Sequence, residues 1–167
     1  MKKYLLALLV DNRPGVLTHV SGLISRRAFN IESIAAGYTE EEDVTRINIV
    51  VSVNNELELD LDDINQLNKL IDIIKIVNLT KFDPIQRELV MIKVKASPAT
   101  RTDIMNIVEI FRAKIVDINR ETMVIELTGE QSKIDALCNV LKDHEIIEIA
   151  RTGAIALSRG PIPAKRL

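Results

Sequence analysis

The order of apolar patterns is the feature that most restricts the fold of this chain. Within residues 1–80 a short apolar run is followed by an amphipathic stretch, two further apolar runs, a second amphipathic stretch and a last apolar run; the same order returns between residues 85 and 160. Short or alternating apolar runs predict strands, and apolar residues three and four apart predict helices. Each half therefore has the order β-α-β-β-α-β of a ferredoxin-like unit. We predict an α+β protein with two tandem ferredoxin-like domains.

The halves repeat in element order rather than in residue identity. For the first domain, 1–80, the predicted strands are 3–10, 30–38, 45–53 and 73–79, and the predicted helices are 14–27 and 64–71. For the second domain, 85–160, they are strands 88–96, 114–119, 123–128 and 146–150, a further short strand 154–157, and helices 97–111 and 132–142. Residues 81–84 are predicted to form a linker. The basic, proline-containing residues 161–167 are predicted to form a flexible tail.

Composition excludes several classes of function. Hydrophobic residues make up 47% of the chain and the net charge is -2, so the chain can form a core and has no excess positive charge for nucleic acid or an anionic membrane. RNA-binding domains of this fold present aromatic side chains on a central strand, but residues 45–51 contain none. The single cysteine, Cys138, suits a reducing, cytoplasmic location and a role as a small buried apolar residue.

Catalytic motifs are missing from the sequence. The two histidines, His19 and His144, fall in different domains, and the pattern places the first on the polar side of a helix and the second at a turn. No histidine, cysteine and carboxylate cluster has metal-ligand spacing, and no phosphate-binding glycine loop is present. We therefore expect a protein without enzymatic activity. An acylphosphatase-like hydrolase on the same fold is the enzymatic alternative, and no phosphate-cradle motif supports it.

The loop between the first strand and the first helix is the most informative segment. A helix start offers unpaired N–H groups and a partial positive charge, so the amides of Gly15, Val16 and Leu17 could hold a small carboxylate. Asn12 can donate and accept hydrogen bonds, and could bind the polar head of the same ligand. The alternative is a plain turn in which Asn12 caps the helix and Pro14 occupies its first turn.

Several segments resemble the small subunits of acetolactate synthase, also called acetohydroxyacid synthase. In the first half they are Asn12-x-Pro14-Gly15-Val16-Leu17, Phe29-Asn30-Ile31-Glu32-Ser33 and Gln66-Leu67-Asn68-Lys69-Leu70. In the second half they include Ile110-Phe111-Arg112-Ala113-Lys114, Glu126-Leu127-Thr128-Gly129, Arg151-Thr152-Gly153 and Leu157-Ser158-Arg159-Gly160. The resemblance spans about residues 3 to 160, and its second-half motifs are the more specific. At one position it departs, because Ala28 stands where the family usually has glycine.

The resemblance implies that the first half is an ACT domain and that the chain is a non-catalytic regulatory subunit. Such a subunit activates a thiamine-diphosphate-dependent large subunit, to which the thiamine diphosphate, Mg²⁺ and any FAD belong. It also confers feedback inhibition by valine, or sometimes by leucine or isoleucine. ACT domains pair side by side in a homodimer, so Asn12, Gly15, Val16 and Leu17 of one chain would face Asn30 and Ile31 of the other across a bound amino acid. The alternative is a stand-alone amino-acid sensor that regulates another enzyme or transcription.

Overall fold

A computed structural model of the protein describes residues 2–26, 29–53 and 72–167. The chain forms two compact units. The first consists of Met1–Ile85 together with Ala154–Leu167, and the second is Gln86–Gly153.

The first unit has an antiparallel sheet with the strand order of a ferredoxin-like fold. Its elements are β1 (Lys2–Asp11), α1 (Val16–Arg26), β2 (Asn30–Tyr38), β3 (Val44–Val53) and β4 (Ile73–Asn78). The strands lie in the order β2-β3-β1-β4, so β1 and β3 are central and β2 lies at an edge. The helix predicted at 64–71 and the acidic segment 54–63 before it lie outside the described residues.

Residues 5–10 of β1 are all apolar, and they are buried on both faces of the sheet. Leu6, Leu8 and Val10 join the core beneath α1, where they meet the helix residues Val20 and Ile24. The alternate residues Leu5 and Ala7 face the opposite side of the sheet and belong to a second, smaller core. A strand that is buried on both faces reads as a continuous apolar run instead of an alternating one.

The second unit repeats the same topology. Its elements are β5 (Ile85–Lys95), α2 (Arg101–Phe111), β6 (Lys114–Ile118), β7 (Thr122–Gly129), α3 (Gln131–Leu141) and β8 (Ile146–Arg151), and its sheet order is β6-β7-β5-β8. On β5 the buried Val90, Ile92 and Val94 alternate with the more exposed Met91 and Lys93. The predicted start of its first helix at residue 97 is too early, because Ser97–Thr100 form a hydrogen-bonded turn before α2 begins.

The end of the chain differs from the prediction. Residues 154–167, which we name the C-terminal strap, group with the first unit, whereas the prediction assigned 154–160 to the second domain and 161–167 to a flexible tail. The short strand predicted at 154–157 is confirmed. The strap contains β9 (Ile155–Leu157) and a short 3-10 turn at Ala164–Arg166. Ala156 and Ala164 are each 5% exposed and pack in the small core with Leu5 and Ala7. Alanine adds little to a local hydrophobic pattern, so the sequence did not reveal that this segment covers a sheet face.

The predicted linker, 81–84, overlaps an ordered turn at its start. A 3-10 turn spans Leu79–Phe82, and Leu79 is fully buried in the small core of the first unit. Asn78 caps this turn by accepting a hydrogen bond from the N–H of Thr80. The turn is followed by Asp83 in a left-handed conformation with a φ of 43°. The connection between the units therefore begins as a packed extension of β4.

Candidate functional site

Gly15 is the last residue of the loop between β1 and α1, the segment that the sequence analysis identified as the most informative. Its φ of +90° lies in a region that other residues rarely adopt, so the backbone there favours glycine. A Cβ atom built at Gly15 would meet no atom of the described residues within 4 Å. The requirement for glycine is therefore conformational, and the space beside the residue is open to an approaching ligand.

The first turn of α1 leaves several N–H groups available. The helix begins at Val16, and its first backbone bond runs from the N–H of His19 to the carbonyl of Gly15, at 3.1 Å. Within residues 2–26, 29–53 and 72–167, no acceptor lies in hydrogen-bond range of the N–H groups of Gly15, Val16 or Leu17. These groups, with the positive end of the helix dipole, can bind a carboxylate.

The side chains that follow Gly15 have different environments. Val16 is 5% exposed and belongs to the core beneath α1, so only its amide is available to a ligand. Leu17 is 47% exposed and can contribute apolar contact outside the core. The prediction gave both residues the same role. In the structure, Val16 can offer a ligand only its backbone N–H, whereas Leu17 can also offer its side chain.

Asn12 contacts the β2–β3 hairpin rather than the first turn of α1. Its Oδ1 accepts a hydrogen bond from the Thr45 hydroxyl at 3.2 Å, and its Nδ2 donates to the Glu42 carbonyl at 3.4 Å. Its backbone N–H also donates to the carbonyl of Asp43, at 2.8 Å. An amide side chain has two N–H donors and two lone pairs on its oxygen, so Asn12 keeps one of each for a ligand.

Asn30 and Ile31 lie at the other end of the sheet. Asn30 is exposed at the start of β2, and its Nδ2 is 3.5 Å from the Ser52 hydroxyl, on the residue that it opposes in β3. Ile31 is partly buried against the core beneath α1. At about 3.4 Å per residue, Ser52 is roughly 24 Å along β3 from Thr45, the partner of Asn12. The two predicted halves of the site therefore do not meet within one protomer.

A salt bridge lies beside Asn30. The Lys3 ammonium is 2.5 Å from Oε2 of Glu32 in β2. The hydrogen bond from Lys3 lowers the pKa of the Glu32 carboxyl below its usual value. Burial acts in the opposite direction and raises that pKa by a smaller amount. Glu32 is therefore an anion at neutral pH, two residues from Asn30.

The remaining reactive residues have structural environments. His19 is exposed and its Nδ1 lies 3.0 Å from Asp72 Oδ2, while His144 ends a 3-10 turn, as the sequence predicted. Cys138 is partly buried in the second core, and burial raises the pKa of its thiol, which disfavours the nucleophilic thiolate. No histidine, cysteine and carboxylate group in the described parts of the chain could hold a metal ion. Among those same residues, no helix is both long and apolar enough to cross a membrane.

Three residues that support the site escaped the sequence analysis. Glu42 and Asp43 contribute backbone carbonyls to Asn12, and Thr45 contributes its hydroxyl. The acidic sequence at 40–43 gives no sign of these contacts, because a backbone carbonyl carries no sequence signature. The β1–β3 pairing, in which Val10 opposes Thr45 and Asp11 opposes Val44, brings this hairpin to the end of β1.

The fold and the open helix start define a class, which is that of ACT domains followed by a second ferredoxin-like unit. A family model described as the AHAS small subunit-like ACT domain matches residues 6–75. A second model, described as the small subunit of acetolactate synthase, matches residues 87–160.

Relatives and a solved structure agree with these matches. The chain is 47% identical over 158 residues to the acetolactate synthase small subunit of Bacillus subtilis, covering 95% of this chain and 91% of the relative. It is 48% identical over 157 residues to that of Mycolicibacterium smegmatis, covering 93% and 91%. The crystal structure of the small subunit from Thermotoga maritima superposes with a TM-score of 0.84 at 36% identity, covering 97% of this chain and all of that one. The chain belongs to the family of acetolactate synthase small subunits.

Proposed function

We propose that this protein is the non-catalytic regulatory subunit of an acetolactate synthase, which activates the large subunit and confers feedback inhibition by valine. The observation that carries the proposal is the set of N–H groups at Gly15, Val16 and Leu17 that have no acceptor among the described residues, beside the open space at Gly15. Family membership supports the choice of large subunit as partner. The thiamine diphosphate and Mg²⁺ of the reaction belong to that large subunit.

The effector site is formed by two copies of the chain. Strand β2 pairs with β3 along one side, and its other side has no strand partner among the described residues, so it can pair with a second copy. If two β2 edges pair in antiparallel fashion about a two-fold axis, the Asn30 end of one strand lies beside the Tyr38 end of the other. Tyr38 opposes Thr45, which contacts Asn12, so each loop then faces Asn30 and Ile31 of the neighbouring copy.

The chemistry of this pocket fits an aliphatic amino acid. The amides of Gly15 and Val16 bind the carboxylate, Asn12 and Asn30 bind the polar head, and Ile31 and Leu17 surround the side chain. A carboxylate at a helix start contributes about 0.3–2 kcal/mol, and burial of a valine side chain about 1.5–3 kcal/mol. One additional methylene contributes about 0.8 kcal/mol, or roughly fourfold in affinity, so valine and isoleucine are separated weakly on this basis.

Complementation between two defective variants tests the shared site. Asn12→Ala and Asn30→Ala each remove one half of the pocket, so each homodimer should lose valine binding in calorimetry and valine inhibition of the reconstituted synthase. A dimer that contains one chain of each variant has one doubly damaged site and one intact site. Mixing the variants should therefore restore part of the valine response. A mixture that exchanges subunits and stays unresponsive would contradict a site shared between chains.

A second test separates charge from backbone conformation at the loop. Gly15→Asp places a carboxylate against the effector carboxylate, but any side chain at a φ of +90° also strains the backbone. Gly15→Ala introduces the strain alone and is the matched control. We expect activation of the large subunit in both variants and a much larger loss of valine sensitivity in Gly15→Asp. A small subunit that neither retrieves nor activates a large subunit would instead support a stand-alone sensor.

A further inference from the structure

The C-terminal strap is attached to the β2–β3 hairpin by two polar contacts. Nζ of Lys165 lies 2.6 Å from Oε1 of Glu41, and Nη2 of Arg46 donates to the carbonyl of Ala156 at 2.7 Å. The Arg46 guanidinium is partly buried, and burial lowers its pKa, so it is a poorly solvated cation for which the carbonyl replaces water. Both ends of the strap are therefore linked to the hairpin.

The same hairpin contacts the loop Asn12–Leu17, which we name the effector loop, through Asn12. Glu42 and Asp43 accept hydrogen bonds from Asn12, and Thr45 donates one to it. The Thr39 hydroxyl lies inside the hairpin, where its single proton can be donated to the carbonyl of Glu41 or of Val44, each at 3.1 Å. The strap and Asn12 thus contact different residues of one small, internally bonded hairpin.

A cavity of about 300 Å³ separates much of the strap from the hairpin. Its lining includes Leu9 and Val44 from the sheet and Leu157 and Pro163 from the strap. Because this empty volume reduces apolar contact between the two segments, the polar contacts of Lys165 and Arg46 carry a larger share of their connection.

The strand that precedes the strap in the sequence ends in a group of ion pairs within the second unit. Arg151, at the end of β8, binds Glu88 of β5 through two hydrogen bonds of 2.7 and 3.0 Å, and Asp135 of α3 through a third of 3.1 Å. Glu88 is 7% exposed. The chain then passes Thr152 and Gly153 into the strap.

We propose that the C-terminal strap reports the occupancy of the effector loop, with the β2–β3 hairpin as the connection between them. An effector that uses the remaining donor and lone pair of Asn12 fixes this side chain, which in turn orders the hairpin and, through Glu41 and Arg46, the strap. Coupling between two sites is reciprocal, so an anchored strap also strengthens effector binding. The inference rests on the proposed function, because it requires a ligand at the Asn12 loop.

Hydrogen exchange and calorimetry on the full-length chain test this coupling. Valine should slow amide exchange both in the Asn12 loop and in residues 154–167 of the wild type. The double variant Lys165→Met/Arg46→Gln should keep the protection of the loop, lose the protection of the strap, and bind valine about fivefold more weakly. The matched control is Arg159→Gln, which breaks a strap salt bridge of 3.2 Å that leads to Asp83 and not to the hairpin. It should bind valine as the wild type does.

The outcomes separate the two proposals. Valine binding by the wild type without any change in exchange of the strap would overturn the inference and leave the proposed function in place. Equal weakening by the control and by the double variant would show general loosening of the strap, and would also overturn it. A wild type that binds no valine would overturn the proposed function and the inference with it. If the double variant does not fold, the exchange pattern of the wild type and of Arg159→Gln still decides.

Discussion

The central strand β1 of the first unit is buried on both faces, whereas the matching strand β5 of the second unit is buried on one face. In β1, Ala7 faces away from α1 and is fully buried under the strap; in β5, Met91 faces away from the helices and is 43% exposed. The two units share a topology, so the difference comes from 14 additional residues at the end of the chain rather than from the repeat itself. A duplicated fold can therefore acquire two different surfaces when one copy receives a covering segment.

The largest expected effect comes from a charge placed at these matched positions. Ala7→Asp would bury an unpaired carboxylate between the sheet and the strap and should lower the free energy of unfolding of the first unit by about 3–5 kcal/mol. Met91→Asp should change that of the second unit by less than about 0.5 kcal/mol, because its side chain is in contact with water. Urea denaturation with amide-exchange detection follows the units separately. Equal losses would mean that the strap does not cover Ala7 in solution.

The next prediction concerns the ion pair that closes the second unit. Arg151→Met leaves the buried Glu88 carboxylate without its partner and should cost about 2–3 kcal/mol, below the range for a fully buried pair because Arg151 is partly exposed. Lys93→Met is the control, since it breaks an exposed pair with Glu148 that spans 3.5 Å. That change should cost under about 0.5 kcal/mol. The same denaturation experiment measures both, and similar costs would argue against a structural role for Glu88–Arg151.

A hydrogen bond from a strand N–H to a threonine hydroxyl occurs in both units, and its loss should change the free energy of unfolding by a smaller amount. The N–H of Leu5 donates to the Thr80 hydroxyl at 2.8 Å in a part-buried position, and the N–H of Leu89 donates to the Thr152 hydroxyl at 3.1 Å in an exposed one. Thr80→Val strands a buried N–H and should cost about 1–2 kcal/mol. Thr152→Val should cost less, because water can replace the hydroxyl. Unfolding free energies of the two valine variants would decide, and a costlier Thr152→Val would contradict the difference in burial.

The smallest effect is a pH dependence that belongs to the first unit. The Lys3–Glu32 hydrogen bond lowers the pKa of Glu32 in the folded state, so its contribution is present above the unfolded value of about 4.3 and is lost as the pH falls through the lower folded value. Lys3→Met should therefore cost under about 1 kcal/mol at pH 7 and nothing near pH 2. Urea midpoints at the two pH values measure this. If Lys3→Met still lowered the free energy of unfolding at pH 2, the loss would come from packing of the lysine side chain and not from the ion pair.

Much of the fold could be predicted because periodicity is local. The spacing of Val16, Val20 and Ile24 predicts a helix wherever these residues are packed, and the bounds of β2 at Asn30–Tyr38 were correct to the residue. The turn at Gly15 and the helix start after it were also predicted correctly, since both are visible in the chain itself. The role of Asn12 and Leu17 in binding an effector stays a prediction. The supporting hairpin was not found, because Glu42 and Asp43 act through backbone carbonyls that every residue possesses.

The sequence by itself determined the order of the described elements, the duplication, the family and the open helix start after Gly15, since each depends on neighbours along the chain. Only the tertiary structure decided that Asn12 and Asn30 lie at opposite ends of one sheet, that Arg151 and Glu88 pair across β8 and β5, and that Ala156 and Ala164 cover the first sheet. The physical reason is that a local pattern records whether a residue is buried, whereas the identity of what buries it depends on segments far away in the chain.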